Sequence, residues 1–371
     1  MIAHRSFGTS LGKRKRSNPT EELQALKRLQ EFRYKKTSFV TTSTAKQIEG
    51  SGETDLRRRD CTKNPGHRSF VSIPHFDVNH LPPAYHDEDI VECVRALSDL
   101  TAQINVLHQN KVTHKMCPRM PATLLTPDAK TVITTVATGL VHKVHKYPNG
   151  KMMVDQSCPC KDCKTSPTPQ TQFAKIILQT TAHVVPENCD NEEIRSHLFF
   201  DKGRSPDDDW GVVTLTNVVS VESSMDNERW EITYVTHDVH LAERLGKTLT
   251  EWQNLRGALM TKYLTTQHSK ARSLPLSGYI PDNEQPLVII VSHPHGCSKH
   301  VSVGHCVQRD ELGNGLTRYS YSAATCPGSS GARVMIVGKA WWWWCSDHIH
   351  GGNTDVSWDV SCSAPGCDHL S

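Results

Sequence analysis

Apolar positions along this chain change their spacing twice. Near the start, Leu23, Leu26, Leu29 and Phe32 recur every third residue among Glu, Gln, Lys and Arg, which makes one stripe on a short helix over 20–36. Asn18-Pro19-Thr20 followed by Glu21 and Glu22 suits its first turn. Residues 37–84 are rich in Ser, Thr, Arg, Pro and Gly without a sustained period and read as linker. A second stripe, Ile90, Val91, Val94, Leu97, Ile104 and Leu107, predicts a helix over 87–107 with acids in its first turn. From about Thr131 the period shortens. The segments 131–136, 139–144, 173–180, 211–221, 230–235, 286–292, 300–307, 317–322 and 333–337 are short and rich in β-branched residues. Many short strands at modest spacing predict a barrel or sandwich rather than βαβ units. One helix interrupts them near 249–264, where Leu249, Trp252, Leu255, Leu259 and Tyr263 share a face. The pattern divides the chain into a partly disordered, partly helical region over 1–125 and a mainly β domain over 126–371.

Composition narrows the class. With 371 residues the chain can bury a real core, and a net charge of +3 does not by itself announce a nucleic-acid binder. The basic residues cluster in Lys13-Arg14-Lys15-Arg16, a run that can serve as a nuclear address or touch nucleic acid, or lie in a solvated tail. No stretch approaches the roughly 18 apolar residues that span a bilayer, and no apolar segment follows the first charges as in a signal peptide. An intracellular setting, cytoplasmic or nuclear, is therefore expected. The 13 cysteines are then mainly buried thiols rather than disulfides. One group differs: Cys158, Cys160 and Cys163 are close enough in Cys158-Pro159-Cys160-Lys161-Asp162-Cys163 to suit tetrahedral zinc. The fourth ligand would come from Cys189, His142 or His145. Such a zinc would be structural, and the alternative is a hairpin loop of plain thiols.

The residues suited to catalysis lie in three turns. Gly328-Ser329-Ser330-Gly331-Ala332 is a tight small-residue turn just ahead of a strand. It can lift the Ser330 hydroxyl toward a substrate and point the N–H groups of Gly328 and Ser330 at one spot, where an oxyanion would sit. Glycine is apt there because such geometry is easy only without a Cβ. His183, in Thr180-Thr181-Ala182-His183-Val184-Val185, falls where the apolar strand around Ile176-Ile177-Leu178 ends. Asp238, in Thr236-His237-Asp238-Val239-His240-Leu241, follows the strand over 230–235 and could orient a histidine, or cap a turn. Asp209, in Asp209-Trp210-Gly211-Val212-Val213, is the competing acid.

In the order His, Asp, Ser these segments resemble the trypsin/chymotrypsin-like serine proteases. Thr180-Thr181-Ala182-His183 is similar to the motif around that family's catalytic histidine. Cys326-Pro327-Gly328-Ser329-Ser330-Gly331-Ala332 is similar to the segment around its nucleophile, and Asp238-Val239-His240-Leu241 to that around its aspartate. Ala137-Thr138-Gly139-Leu140-Val141 and His293-Pro294-His295-Gly296 add to the likeness, which spans about 130–355. It implies a double β-barrel with a linking helix and a triad of His183, Asp238 and Ser330 that hydrolyses peptide bonds through an acyl-enzyme without a cofactor. It also implies a primary specificity pocket with Ala324 at its base and Ile349, His350 and Gly351 along its wall. An uncharged base suits an apolar or aromatic P1 residue of a protein or peptide substrate. Ser329 stands where secreted members carry an aspartate that pairs with a newly cut N-terminus, so activation by that ion pair is not expected. Arg333 stands where a proline is usual, with no reason visible in the sequence. Trp341-Trp342-Trp343-Trp344 reads as edge strand and hydrophobic cover. A barrel that binds peptides without cleaving them is the alternative.

Overall fold

The computed structural model describes residues 40–43, 61–110, 131–147, 157–185, 189–224, 228–266, 278–339, 347–353 and 360–367. In chain order the elements begin with β1 (Val40–Ser43), β2 (Phe70–Ser72), helix α1 (Glu88–Leu100), β3 (Thr101–Asn110) and β4 (Thr131–Tyr147). A one-turn helix α2 (Lys161–Thr165) precedes β5 (Phe173–Thr181), β6 (Ile194–Leu198), β7 (Val213–Leu215), β8 (Val218–Ser224) and β9 (Arg229–Thr236). The long helix α3 (Val239–Thr266) leads to β10 (Gly278–Tyr279), β11 (Leu287–Ser292), β12 (His300–Gly313) and β13 (Leu316–Tyr321). The chain closes with β14 (Val334–Ile336), β15 (His350–Asn353), β16 (Ser361–Ser363) and β17 (Gly366–Cys367).

These strands make two curled antiparallel sheets. The first has the order β7-β6-β3-β4-β5-β9-β8, with β1 on β4. The second has the order β14-β11-β12-β13-β16-β15, with β2 and β10 on β12 and β17 on β13. The chain is thus mainly β, in keeping with a chymotrypsin-like double barrel linked by α3. Strand β11 divides the interior. Its side chains alternate, so Leu287, Ile289 and Val291 join the core of the first sheet and the helices. Val288 and Ile290 join a separate core with Tyr319, Tyr321 and Val334.

Several elements depart from the sequence reading. Helix α1 is capped by Asp87, whose carboxylate accepts the Asp89 N–H, but it ends at Leu100 rather than 107. Thr101 turns its hydroxyl back onto the Leu97 carbonyl at 2.8 Å, and the chain then runs extended. Ala102, Ile104 and Val106 are buried in alternation, so a spacing of seven from Leu97 to Ile104 hides a change of period. The segment read as linker is folded over 61–85: β2 pairs with β12, and Phe76, Leu81 and Tyr85 are buried. Strand β3 pairs with both β4 and β6 and α1 belongs to the first core, so elements before and after residue 126 share one sheet. The segment 211–221 is two strands, and 131–144 is one long strand with a bulge between Val141 and Lys143. Residues 20–36, Lys13–Arg16 and the four tryptophans lie outside the described residues.

Arg333 acquires a reason in the structure. It is buried and pairs with Asp347, whose other oxygen takes the Arg256 Nη2 of α3 at 2.7 Å. Arg229, the first residue of β9, donates to the Asp347 and Pro365 carbonyls. The Arg333 guanidinium also lies 5.3 Å from the centroid of Trp252 on α3. Burial, and then Arg256 and Arg229, hold Arg333 well below its ordinary pKa. The Asp347 carboxylate thus pairs cations of the second sheet and the linking helix, and its backbone carbonyl takes Arg229 of the first sheet. Asp347→Ala should lower the unfolding free energy by about 3–5 kcal/mol in urea titration, the cost of an uncompensated buried charge. A loss below about 1 kcal/mol, the level of an exposed pair, would show that Asp347 does not hold these elements together.

Candidate active site and candidate metal centre

The Ser330 turn is built by its backbone. Ser329 N–H donates to the Cys326 carbonyl at 2.9 Å and Ala332 N–H to the Ser329 carbonyl at 3.0 Å. Gly328 and Gly331 hold φ of +96° and +91°, which side chains rarely adopt. A Cβ on Gly328 would stand 2.4 Å from the His293 carbonyl oxygen. On Gly331 it would stand 2.1 Å from the Thr138 carbonyl oxygen and 2.2 Å from Thr180 Oγ1. The turn is therefore pressed onto β4 and β5 of the first sheet. Thr138 N–H donates to the Ser330 carbonyl at 2.9 Å and Thr138 Oγ1 to the Gly328 carbonyl at 2.7 Å. Thr180 Oγ1 in turn donates to the Thr138 carbonyl at 2.8 Å. Ser330 is half-buried, whereas Ser329 is fully buried with its hydroxyl 3.0 Å from Ser292 Oγ. The N–H groups of Gly328 and Ser330 donate to no other described residue, and the Ser330 hydroxyl makes no hydrogen bond among them.

His183 is half-buried in the turn that ends β5, close along the chain to the Thr180 that touches Gly331. That turn is fixed from β9: Ala182 N–H donates to the Glu228 carbonyl at 2.8 Å, and Trp230 Nε1 donates to the Ala182 carbonyl. The structure thus brings together the strand end carrying His183 and the turn carrying Ser330.

It does not bring Asp238 there. Strands β5 and β9 are antiparallel, with Thr181 opposite Arg229 and Ala174 opposite Thr236. Asp238 follows Thr236, so it lies at the far end of this pair, more than about 23 Å along the strands from His183 at roughly 3.3 Å per residue. Its carboxylate caps α3 instead, accepting the Leu241 N–H at 2.9 Å. Asp209 is also used locally, accepting the N–H groups of Gly211 at 3.1 Å and Lys202 at 3.4 Å in an exposed loop. The register brings Glu228, just ahead of Arg229, to the turn that holds His183. Glu228 has φ of +51° and its carboxylate lies 3.6 Å from Arg318 Nη2.

The residues expected at the specificity pocket flank the Ser330 turn. The His350 carbonyl accepts the Gly331 N–H at 2.9 Å, and its N–H donates to Ala332 at 2.7 Å. His350 is buried with Nδ1 2.7 Å from the Tyr321 hydroxyl. Ile349 is fully buried and Gly351 packs against Ala364, while Ala324 is half-buried and its carbonyl accepts the Ser302 hydroxyl at 2.7 Å.

Cys158, Cys160 and Cys163 converge with a fourth donor that is none of the three expected. It is His237, whose Nε2 lies 3.1, 3.8 and 3.5 Å from their respective Sγ atoms. Zinc–sulfur and zinc–nitrogen lengths of about 2.3 and 2.0–2.1 Å give tetrahedral S–N edges of about 3.6 Å, so the group fits a Cys3His site. Cys160 N–H and Cys163 N–H point at the sulfurs two and three residues earlier, at 3.5 and 3.4 Å. The same hairpin register that removes Asp238 from His183 delivers His237 to these thiols. None of the described cysteines is joined in a disulfide.

No protein family and no curated protein matches the chain. Among solved structures it is similar to two with decapeptide, HtrA-type protease AlgWS227A and HtrA-type protease AlgW. One has 10% identity and TM-score 0.38 over 74% of this chain and 62% of that one. The other has 12% identity and TM-score 0.36 over the same shares. Rv3671c from M. tuberculosis H37Rv, in an inactive form, gives 11% identity and TM-score 0.33 over 75% and 87%. The chain thus spans less than two-thirds of the AlgW structures. At these values the fold rests on the strand pairing above.

Asp238→Ala should cost about 1 kcal/mol of stability, the usual worth of an N-cap, measurable by urea unfolding. A change near zero would contradict its capping role.

Proposed function

We propose that the chain is a serine endopeptidase in which Ser330 attacks the peptide carbonyl and His183 acts as base, then as acid. The observation that carries this reading is the docking of the Ser330 turn, with two N–H groups left for an oxyanion, onto the strand end that holds His183. Of the described residues leading into β9, Glu228 is the candidate for the acid that orients His183. Ala324 at the pocket base favours an apolar or aromatic P1 residue. The absence of a hydrogen bond from Ser330 Oγ among the described residues favours a second reading, a barrel that binds peptides without cleaving them. Apo catalytic hydrogen bonds are often long, which keeps the first reading ahead. The basic run Lys13–Arg16 would add a salt-dependent nucleic-acid contact, and an intracellular setting is part of the same proposal.

Fluorophosphonate labelling of the wild type should be abolished in Ser330→Ala, fall at least a hundredfold in His183→Ala and persist in Asp238→Ala, given the usual weight of a general base. Labelling that survives Ser330→Ala would sink the nucleophile, and none in a folded wild type would establish the binding reading.

We propose further that Cys158, Cys160, Cys163 and His237 hold a structural zinc that ties the α2 loop to the end of β9. Elemental analysis should find Cys163→Ala short of one zinc per chain, with a lowered melting temperature. Unchanged zinc content would refute the site.

A further inference from the structure

A second set of metal-ligating side chains converges on Cys326, at the start of the Ser330 turn. Cys61 Sγ is 3.6 Å from Cys326 Sγ, Cys326 Sγ is 3.4 Å from His67 Nε2, and His67 Nε2 is 3.2 Å from His295 Nε2. All four ligand atoms lie within 4.8 Å of one another, and all four residues are buried. A tetrahedral zinc with two sulfurs and two nitrogens has ligand–ligand edges of about 3.3–3.8 Å at ordinary bond lengths, and each of these separations lies within about 0.2 Å of its expected edge. The geometry points to a structural Cys2His2 zinc site formed by Cys61, His67, His295 and Cys326.

Two further observations point the same way. His67 and His295 hold φ of +49° and +56°, a left-handed conformation uncommon for residues other than glycine. Both strained turns aim an imidazole at the same spot, and metal ligation is what would reward that strain. The sulfurs also receive donors suited to thiolates: Asn64 N–H reaches Cys61 Sγ at 3.3 Å, and Asn64 Nδ2 reaches Cys326 Sγ at 3.2 Å. Phe70 and Ala324 surround the group with apolar contacts.

The site joins three stretches far apart in sequence. Cys326 opens the turn that carries Ser330, and His295 N–H donates to the Pro327 carbonyl at 2.6 Å. Cys61 and His67 bring the segment ahead of β2 against that turn, where Lys63 Nζ also donates to Thr325 Oγ1 at 2.7 Å and Asn353 Oδ1 at 2.6 Å. A zinc here clamps the segment ahead of β2 to the Ser330 turn. It also occupies the Cys326 thiol, which is turned to Cys61 and His67 and has no part in peptide attack. The assignment stands on these ligands alone, whether or not Ser330 is catalytic.

The test is elemental analysis of the full chain, expressed with zinc and purified under reducing conditions without chelator. Cys61→Ala and His67→Ala should each lose one zinc per chain relative to wild type, while Cys163→Ala reports separately on the Cys3His group. Should either variant fail to fold, cadmium-113 exchange into the wild type keeps the question answerable. A resonance in the two-sulfur, two-nitrogen range, upfield of any three-sulfur site, is expected. Unchanged zinc in both folded variants, the absence of that resonance, or a Cys61–Cys326 disulfide found by alkylation and peptide mapping would overturn the site.

Discussion

The approach of Gly331 to Thr138 and Thr180 is the contact on which this molecule depends. A turn belonging to the second sheet lies so close to the first that not even a methyl group fits between them. The Thr138 hydroxyl accepts the His293 N–H and donates to the Gly328 carbonyl, so one side chain of β4 fixes both strands of backbone that shape the turn. The position of Ser330 is therefore set by the first sheet as much as by its own. The proposed peptidase would require this, since its base and nucleophile come from different halves and a shift of one against the other would separate them.

Charge burial accompanies this arrangement. Lys299 is wholly buried, donating to the Ser98 carbonyl at the end of α1 and pairing with Asp201 at 2.8 Å. Arg229, Arg256 and Arg333 surround Asp347 in the same manner. Such pairs contribute little net stability against an apolar alternative, but removal of one partner is costly. They act as registration points between α1, α3 and the two sheets, where apolar packing alone would tolerate sliding.

Much of this was legible in the sequence, for identifiable reasons. Period-two runs such as Phe173–Thr181 and Leu287–Ser292 marked strands, and paired glycines around Ser330 marked a turn that no Cβ could enter. Helix α1 was legible to Leu100, where Thr101 and a spacing of seven disguised the change to strand. What local pattern could not convey was register. Asp238 follows a strand in a plausible motif, yet the antiparallel pairing of β5 with β9 puts it at the wrong end and puts His237 beside the Cys158 thiols instead. Cys61 and His67 were passed over as linker residues because nothing near them in sequence carries a period. Their significance arises only when β2 pairs with β12 and carries them to Cys326.

The two-sided burial of β11 has a consequence for how the chain acquires its structure. Since alternate residues of that one strand complete both interiors, neither half can close its core before β11 has taken its place. Its neighbour β12 waits on β2, more than two hundred residues earlier in the chain. Pairings of such sequence separation are closed late, because the loop entropy must be spent before any contact rewards it. The two sheets should accordingly form in a single slow, cooperative step, with no long-lived species in which one half is native and the other is not.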